Sequence, residues 1–437
     1  MINLIPKYTI WIVISSMLFL VAIGVALLTI PGTLINGQGF SLINSIFMAA
    51  SSVFSCGTTV VPFNQISTFG KIIILFLMQI GSIGFITIII AIAIIFLKKE
   101  KNWSAIAIDT FNLFNKKSIK FFISFIFLYS ILIEFFGFIL YKSFAYFYGH
   151  TISIFNSLFL SVNMFCSVGF ILKDNICSDF INTNIYFIIS SFLMLAGGIG
   201  FLFFFEIIQF YLSIKKKDKH IFSLTFKMGL FIYLITIPIM WLFYFITCEN
   251  GTFSLISISR SFFTSISMRS CGIFPYNNVN HSIIFISSLY GLFGTCPLAM
   301  GGALKSSILA IVFATIKSFY YGFKSVIIFG KKIPWKIVSL SHITIIYFLF
   351  ISCFFSIIID KLTLKSIDFL MIFADVIGIM TGSGFLWSDL VNFSDLIKII
   401  LIIVMFIGKI GVIFISFSSS SLRKKNIINQ EEKLIII

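Results

Sequence analysis

Runs of strongly apolar residues, about twenty or more long and nearly free of charge, recur along this chain at 10–30, 72–97, 121–141, 185–214 and 397–417. A helix needs roughly 20 such residues to cross the hydrocarbon core of a bilayer. Of the 437 residues, 59% are hydrophobic and only 11% charged, more apolar surface than a water-soluble core of this length can hide. The chain is therefore read as an integral membrane protein. The first run follows Lys7 as a signal peptide would. It is longer than roughly 15 residues and no small-x-small cleavage pattern follows, so it reads as a first span.

The net charge of +16 does not require nucleic acid, because the basic residues gather between the apolar runs. One group is Lys98, Lys99, Lys101, Lys116, Lys117 and Lys120, and a second is Lys215, Lys216, Lys217, Lys219 and Lys227. A third is Lys317, Lys324, Lys331, Lys332 and Lys336, and the last is Arg423, Lys424, Lys425 and Lys433. Positive loops face the cytoplasm, which puts these segments and both termini inside. They are expected to meet anionic lipid headgroups, and the same surfaces suit a cytosolic partner. Cys56, Cys166, Cys177, Cys248, Cys271, Cys296 and Cys353 form no CxxC pair and are odd in number, which indicates neither a structural metal site nor a disulfide framework.

Between the basic segments the same series recurs four times, over 1–101, 102–219, 220–336 and 337–437. Each unit has an apolar span, a shorter apolar segment, a polar stretch with glycine, and a second span with glycines in its middle. The shorter segments, 42–53, 152–165, 255–268 and 367–379, are too short to cross a bilayer and suit re-entrant helices. The predicted fold is all-α: eight transmembrane helices and four pore helices in pseudo-fourfold arrangement around one pore.

Each short segment runs into a helix-breaking sequence. These are Ser55, Cys56, Gly57 and Thr58; Ser167, Val168, Gly169 and Phe170; Ser270, Cys271, Gly272 and Ile273; and Met380, Thr381, Gly382 and Ser383. The four glycines lie 112, 103 and 110 residues apart. A second series keeps step: Gly84, Gly200, Gly302 and Gly411 follow the loop glycines by 27, 31, 30 and 29 residues. Small residues let transmembrane helices pack closely, which accounts for most of these glycines but not for their phase with the loops. Irregular backbone at membrane depth survives only where it is buried in protein or lines a watery path. Four equivalent loops in one chain suit rings of carbonyl oxygens that replace the water shell of a cation. Glycine serves such loops because it accepts positive φ without strain.

Residues 262–272, Phe-Phe-Thr-Ser-Ile-Ser-Met-Arg-Ser-Cys-Gly, resemble the third pore loop of the Trk/Ktr/HKT cation transporters, where Ser-Val-Thr-Pro-Arg-Thr-Ala-Gly-Phe-Asn is typical. Residues 294–306 are similar to that family's broken helix, which ends in Gly-Gly-Gly-Ile-Lys-Thr. Residues 79–85 and 196–201 match its Gln-Ile-Gly-Gly-Leu-Gly and Gly-Gly-Leu-Gly-Phe segments. The resemblance covers essentially the whole chain, with the bacterial Ktr membrane subunit nearest in length. It implies potassium uptake across the cytoplasmic membrane, a homodimer, and regulation by a separate cytosolic ring of nucleotide-binding subunits. No cofactor is implied; K+ is the transported ion, with Na+ as an alternative permeant or coupling ion. In the family, glycine in every filter loop accompanies potassium selectivity and serine in the first loop accompanies sodium. The fourth loop diverges here, with Gly378 or Gly382 as the matching position and Gly382 preferred for its spacing.

The gate that the resemblance implies falls on Pro297, Gly301, Gly302, Lys305 and Lys409. Pro297 removes a backbone donor and breaks the helix. Lys409 stands where the family carries Arg, giving a single ammonium in place of a planar fork. Ionisable groups at mid-membrane cost roughly 3 kcal/mol and mark pathways or buried pairs. Glu134 and Glu206 are expected to pair with basic residues, Arg269, at the mouth of the third loop, to brace neighbouring carbonyls, and Asp375 to favour cations. A membrane-embedded transferase would need a polar catalytic cluster, whereas His150, His220, His281 and His342 are spread over different units with no His/Asp or His/Glu spacing of catalytic type. A carrier of paired inverted repeats would divide in two halves rather than four units.

Overall fold

The computed structural model describes residues 5–97, 116–172, 178–216, 222–249, 251–276, 279–297, 299–301, 304–323, 325–363, 367–388 and 390–421. Gly302, Lys98, Lys99, Lys101, Cys177, Lys217, Lys219, His220, Lys324 and the basic tail lie outside the described residues. The first repeat comprises α1 (Ile5–Leu28), α2 (Leu42–Val53) and α3 (Thr68–Leu97). The second comprises α4 (Lys116–Phe147), α5 (Ile154–Phe165), the short α6 (Ser178–Ile181), α7 (Asn184–Ile199) and α8 (Phe201–Lys216). The third has α9 (Leu224–Cys248), α10 (Leu255–Ser267), α11 (His281–Leu292) and α12 (Ser306–Tyr320). A small hairpin, β1 (Ile327–Ile328) with β2 (Lys331–Lys332), leads into the fourth: α13 (Trp335–Leu362), α14 (Phe369–Thr381) and α15 (Asp395–Ser421). Among the described residues, Phe122–Phe147, Leu224–Cys248 and Trp335–Leu362 are each long and apolar enough to cross a membrane. The pair α7 and α8 passes the same test together, bent by 77°.

The four short helices begin alike. Ser41, Ser153, Ser254 and Asp368 occupy their N-cap positions. The Ser153 hydroxyl accepts the Asn156 N–H, and Ser254 with Ser257 forms a reciprocal capping box. Such caps satisfy donors that the first turn leaves unpaired, which matters most where water is scarce. Three of the short helices pack between the spans of their own repeat, α2 with α1 and α3, α5 with α4 and α7, and α14 with α13 and α15, while α10 packs on α9.

The contacts between repeats close a circle. The second span of one repeat packs on the short helix of the next: α3 on α5, α7 on α10, α11 on α14, and α15 back on α2. Glycines make the approach possible within each repeat. A Cβ at Gly81 would overlap the Val53 carbonyl, one at Gly197 the Phe165 carbonyl, and one at Gly408 the Met380 carbonyl. In the third repeat Gly291 stands in the same relation to Met268 O, 3.2 Å from its Cβ position. In each repeat a span glycine therefore receives the C-terminal end of its own short helix. The glycines counted from the sequence are other ones: Gly411 faces the Tyr347 ring and Gly200 bends its helix.

Two expectations for the second and third repeats are corrected. The span at 185–214 is not continuous, because α7 stops at Gly200, whose φ of 92° and ψ of 156° no helix contains. The third-repeat break extends from Phe293 to Lys305, longer than the 294–303 stretch that its proline and small residues suggest.

Candidate functional site

The loops that follow α2, α5, α10 and α14 meet one another. Gly57 has φ 68°, Gly169 96°, Gly272 68° and Gly384 70°. A Cβ added to Gly57 would overlap Val168 O, and one at Gly169 would overlap Cys271 O. At Gly272 it would overlap Ser383 O, and at Gly384 it would overlap Cys56 O. In every case the carbonyl belongs to the residue just before the equivalent glycine of the next loop. The relation runs from the first repeat to the fourth and back to the first, so the four loops form a closed ring. Only glycine fits, on grounds of both φ and space.

This contact sets the register of the fourth loop. Gly384 holds the place of Gly57, Gly169 and Gly272, and Phe385 that of Thr58, Phe170 and Ile273. Gly382, chosen from the sequence spacing, corresponds instead to Ser55, Ser167 and Ser270. Its φ of 69° matches the positive φ of Ser55 (58°) and Ser167 (55°). Met380 and Thr381 remain in the last turn of α14, and Gly378 lies within that helix. The spacing failed because α14 runs to Thr381, which delays the loop.

Side chains of the short helices hold the loops. Ser51 Oγ donates to Thr58 O at 2.8 Å. Asn163 Nδ2 donates to Phe170 O at 2.7 Å, while its Oδ1 accepts from the Gly169 and Phe170 N–H groups at 3.0 Å. Ser267 Oγ accepts the Ile273 N–H at 2.7 Å. In the fourth repeat the Gly384 N–H reaches Gly378 O at 2.8 Å. Ser55 Oγ meets Ser82 Oγ of α3 at 3.0 Å, and Cys56 Sγ donates to Ile379 O of α14. Cys56, Val168 and Cys271 are buried, as are Ser167, Ser270 and Ser383.

The broken stretch of the third repeat lies against these loops: a Cβ at Gly301 would stand 2.9 Å from Ser167 Cβ and 3.5 Å from Ser270 O. Its backbone groups find partners outside any helix. Lys305 Nζ donates to Gly301 O at 3.0 Å and Ala299 O at 3.2 Å, and sits 3.4 Å from Thr295 Oγ1. Thr295 Oγ1 in turn donates to Gly301 O and Met300 O. Arg269, 1% exposed, donates to Gly294 O and Thr236 Oγ1 with its guanidinium 4.2 Å from the Tyr233 ring centre. The carbonyl that it braces stands at the start of the break. Lys409 Nζ donates to Phe54 O at 3.1 Å, at the root of the first loop.

Glu134 and Glu206 pair otherwise than expected. Glu134 accepts from Gln79 Nε2 at 2.9 Å, an amide rather than a basic side chain. Glu206 accepts the Ser223 N–H and hydroxyl at the start of α9. Asp375 accepts the backbone N–H groups of Trp387 and Ser388 and the Ser388 hydroxyl, which fastens the exit of the fourth loop.

A ring of four loops inside a helical bundle that holds apolar helices of membrane length defines the class: an all-helical membrane protein. The crystal structure of the potassium transporter TrkH from Vibrio parahaemolyticus has this fold, with a TM-score of 0.65 and 14% identity over 93% of this chain and 84% of that one. No family model matches the chain. In sequence it is 25% identical over 423 residues to the potassium/sodium uptake protein NtpJ of Enterococcus hirae, covering 93% of this chain and 92% of that protein. It is 26% identical to Ktr system potassium uptake protein B of Bacillus subtilis, with the same coverage. The resemblance to Trk/Ktr membrane subunits therefore holds over nearly the full length, and the relatives are transporters rather than enzymes.

Proposed function

We propose that the chain takes up potassium across the cytoplasmic membrane through the ring at Gly57, Gly169, Gly272 and Gly384, with residues 293–305 as its gate. The observation that carries this reading is the closed, head-to-tail contact of the four loops. Carbonyls at such a ring are positioned to take over an ion's hydration. Four short helices end at the ring, and their C-terminal dipoles favour a cation there. With Gly384 in register, glycine occupies all four equivalent positions, which supports potassium over sodium under the family pattern.

The gate reading rests on the stretch around Gly301, which abuts the second and third loops. An unwound segment held there by Lys305 obstructs the path beneath the ring. An inside-negative potential contributes ~2.3 kcal/mol per charge per 100 mV, enough to concentrate a monovalent cation roughly fifty-fold without a catalytic site. The subunit is proposed to work as a homodimer, with both termini cytoplasmic and a cytosolic nucleotide-binding ring on its basic loops. The names of the B. subtilis and E. hirae relatives support potassium uptake, and the latter adds sodium. Rubidium flux from purified protein in liposomes, in competition with sodium, tests the proposal. Flux blocked by excess K+ and not by equal Na+ is expected; equal block by both removes potassium selectivity.

A further inference from the structure

We propose that the bend at Gly200 is the seat of the gate segment: repeat two is broken in order to hold the break in repeat three. The inference rests on the gate reading above. In a continuous helix Gly197 O and Gly198 O would accept the N–H groups of Phe201 and Leu202. Gly200 instead adopts φ 92° and ψ 156°, a region essentially reserved for glycine, and α8 leaves at 77° to α7. Two carbonyls are thereby freed at membrane depth, where an unpaired one costs several kcal/mol.

The third repeat supplies their partners. The Cys296 N–H donates to Gly198 O at 3.0 Å and the Met300 N–H to Gly197 O at 3.2 Å. Both donors belong to a stretch whose own helix is broken, with Pro297 between them. The fit is close: a Cβ on Gly200 would lie 2.9 Å from Pro297 O and 3.1 Å from Ala299 Cβ. Two backbone defects, each unfavourable alone, thus satisfy one another. The seat also touches the second loop, since Gly197 receives Phe165 O at the end of α5. Releasing the segment returns both carbonyls to the Phe201 and Leu202 amides, so the gate opens as α7 and α8 straighten.

Two substitutions push in opposite directions in full-length protein in liposomes. Gly200→Ala adds a side chain that the seat cannot hold and favours the straight helix. Phe201→Pro suits the first position of α8 and removes the amide that would reclaim Gly197 O. The first readout is the labelling rate of the buried Cys296 thiol by a membrane-permeant maleimide, mapped by peptide mass. The second is rubidium flux per folded molecule, with Lys305→Met as a gate control. Gly200→Ala is expected to speed labelling about tenfold, and Phe201→Pro to slow it several-fold. Flux should follow the same directions. If Lys305→Met raises flux while labelling is unchanged in Phe201→Pro and in any folded Gly200→Ala, the seat is refuted and the gate stands. If labelling responds as expected while flux is constant in every variant, the seat stands and the gate reading falls.

Discussion

The ring of loops and the segment beneath it are built on opposite plans. In the ring all four repeats do the same thing: a glycine of one loop receives a carbonyl of the next, and a span glycine receives the end of a short helix. Beneath it the repeats diverge, with α3 an unbroken helix of 30 residues, α7 and α8 bent at Gly200, and α11 and α12 separated by 293–305. Close backbone packing leaves the ring no slack, because a single added methyl group overlaps a carbonyl. The lower region relies on exchanged hydrogen bonds, which can be broken and remade. A rigid upper region suits discrimination between ions, and a lower region of replaceable bonds suits opening and closing.

The largest expected effect breaks the ring. Gly384→Ser should lower potassium over sodium selectivity about tenfold or more, ~1.4 kcal/mol of discrimination. Gly57→Ser and Gly272→Ser should match it if the four positions are equivalent. Competitive uptake of the two cations checks this, and wild-type selectivity in Gly384→Ser would take the fourth loop out of the ring.

Next comes the segment. Lys305→Met removes an ammonium that donates to Gly301 O and Ala299 O, and hydrogen bonds to charged groups contribute about 1.5–3 kcal/mol. Flux per folded molecule should rise several-fold with selectivity unchanged. Slower flux would mean that Lys305 stabilises a conducting arrangement.

Lys409 lies between the two plans and should give a smaller change. Its described bond goes to Phe54 O in the first repeat, one residue before the loop. If it serves the gate, Lys409→Met raises flux about twofold, the effect of well under 1 kcal/mol. A fall in selectivity at constant flux would assign it to the ring.

The short helices and the helix-breaking turns after three of them were legible because their signals are local. Short apolar segments, serine caps and a glycine soon after the helix end all lie within one stretch of sequence. The fourth loop was misplaced because α14 continues to Thr381, and apolar residues such as Ile379 and Met380 do not announce where a helix stops. The bend at Gly200 was hidden for a different reason. Gly197, Gly198 and Gly200 look like ordinary packing glycines, and only the amides of Cys296 and Met300, about one hundred residues away, explain the break. Glu134 illustrates the same limit, since its partner Gln79 lies in another repeat.

The smallest expected effect is also the most discriminating test of register. Gly382 has a positive φ of 69°, as Gly384 does, so backbone conformation alone would make both positions intolerant of a side chain. Space separates them. A Cβ on Gly382 would meet nothing closer than Phe54 O at 3.5 Å, an ordinary contact, whereas one on Gly384 would overlap Cys56 O. The first two loops moreover carry serine at the position of Gly382 with φ of 58° and 55°, so this site accepts a serine side chain in that conformation. Gly382→Ser should therefore fold, cost about 1–2 kcal/mol for the strained backbone, and leave ion selectivity within twofold of wild type. Competitive uptake beside Gly384→Ser decides the matter. If Gly382→Ser loses selectivity and Gly384→Ser keeps it, the ring position belongs to Gly382, and the head-to-tail contact does not mark the selective site.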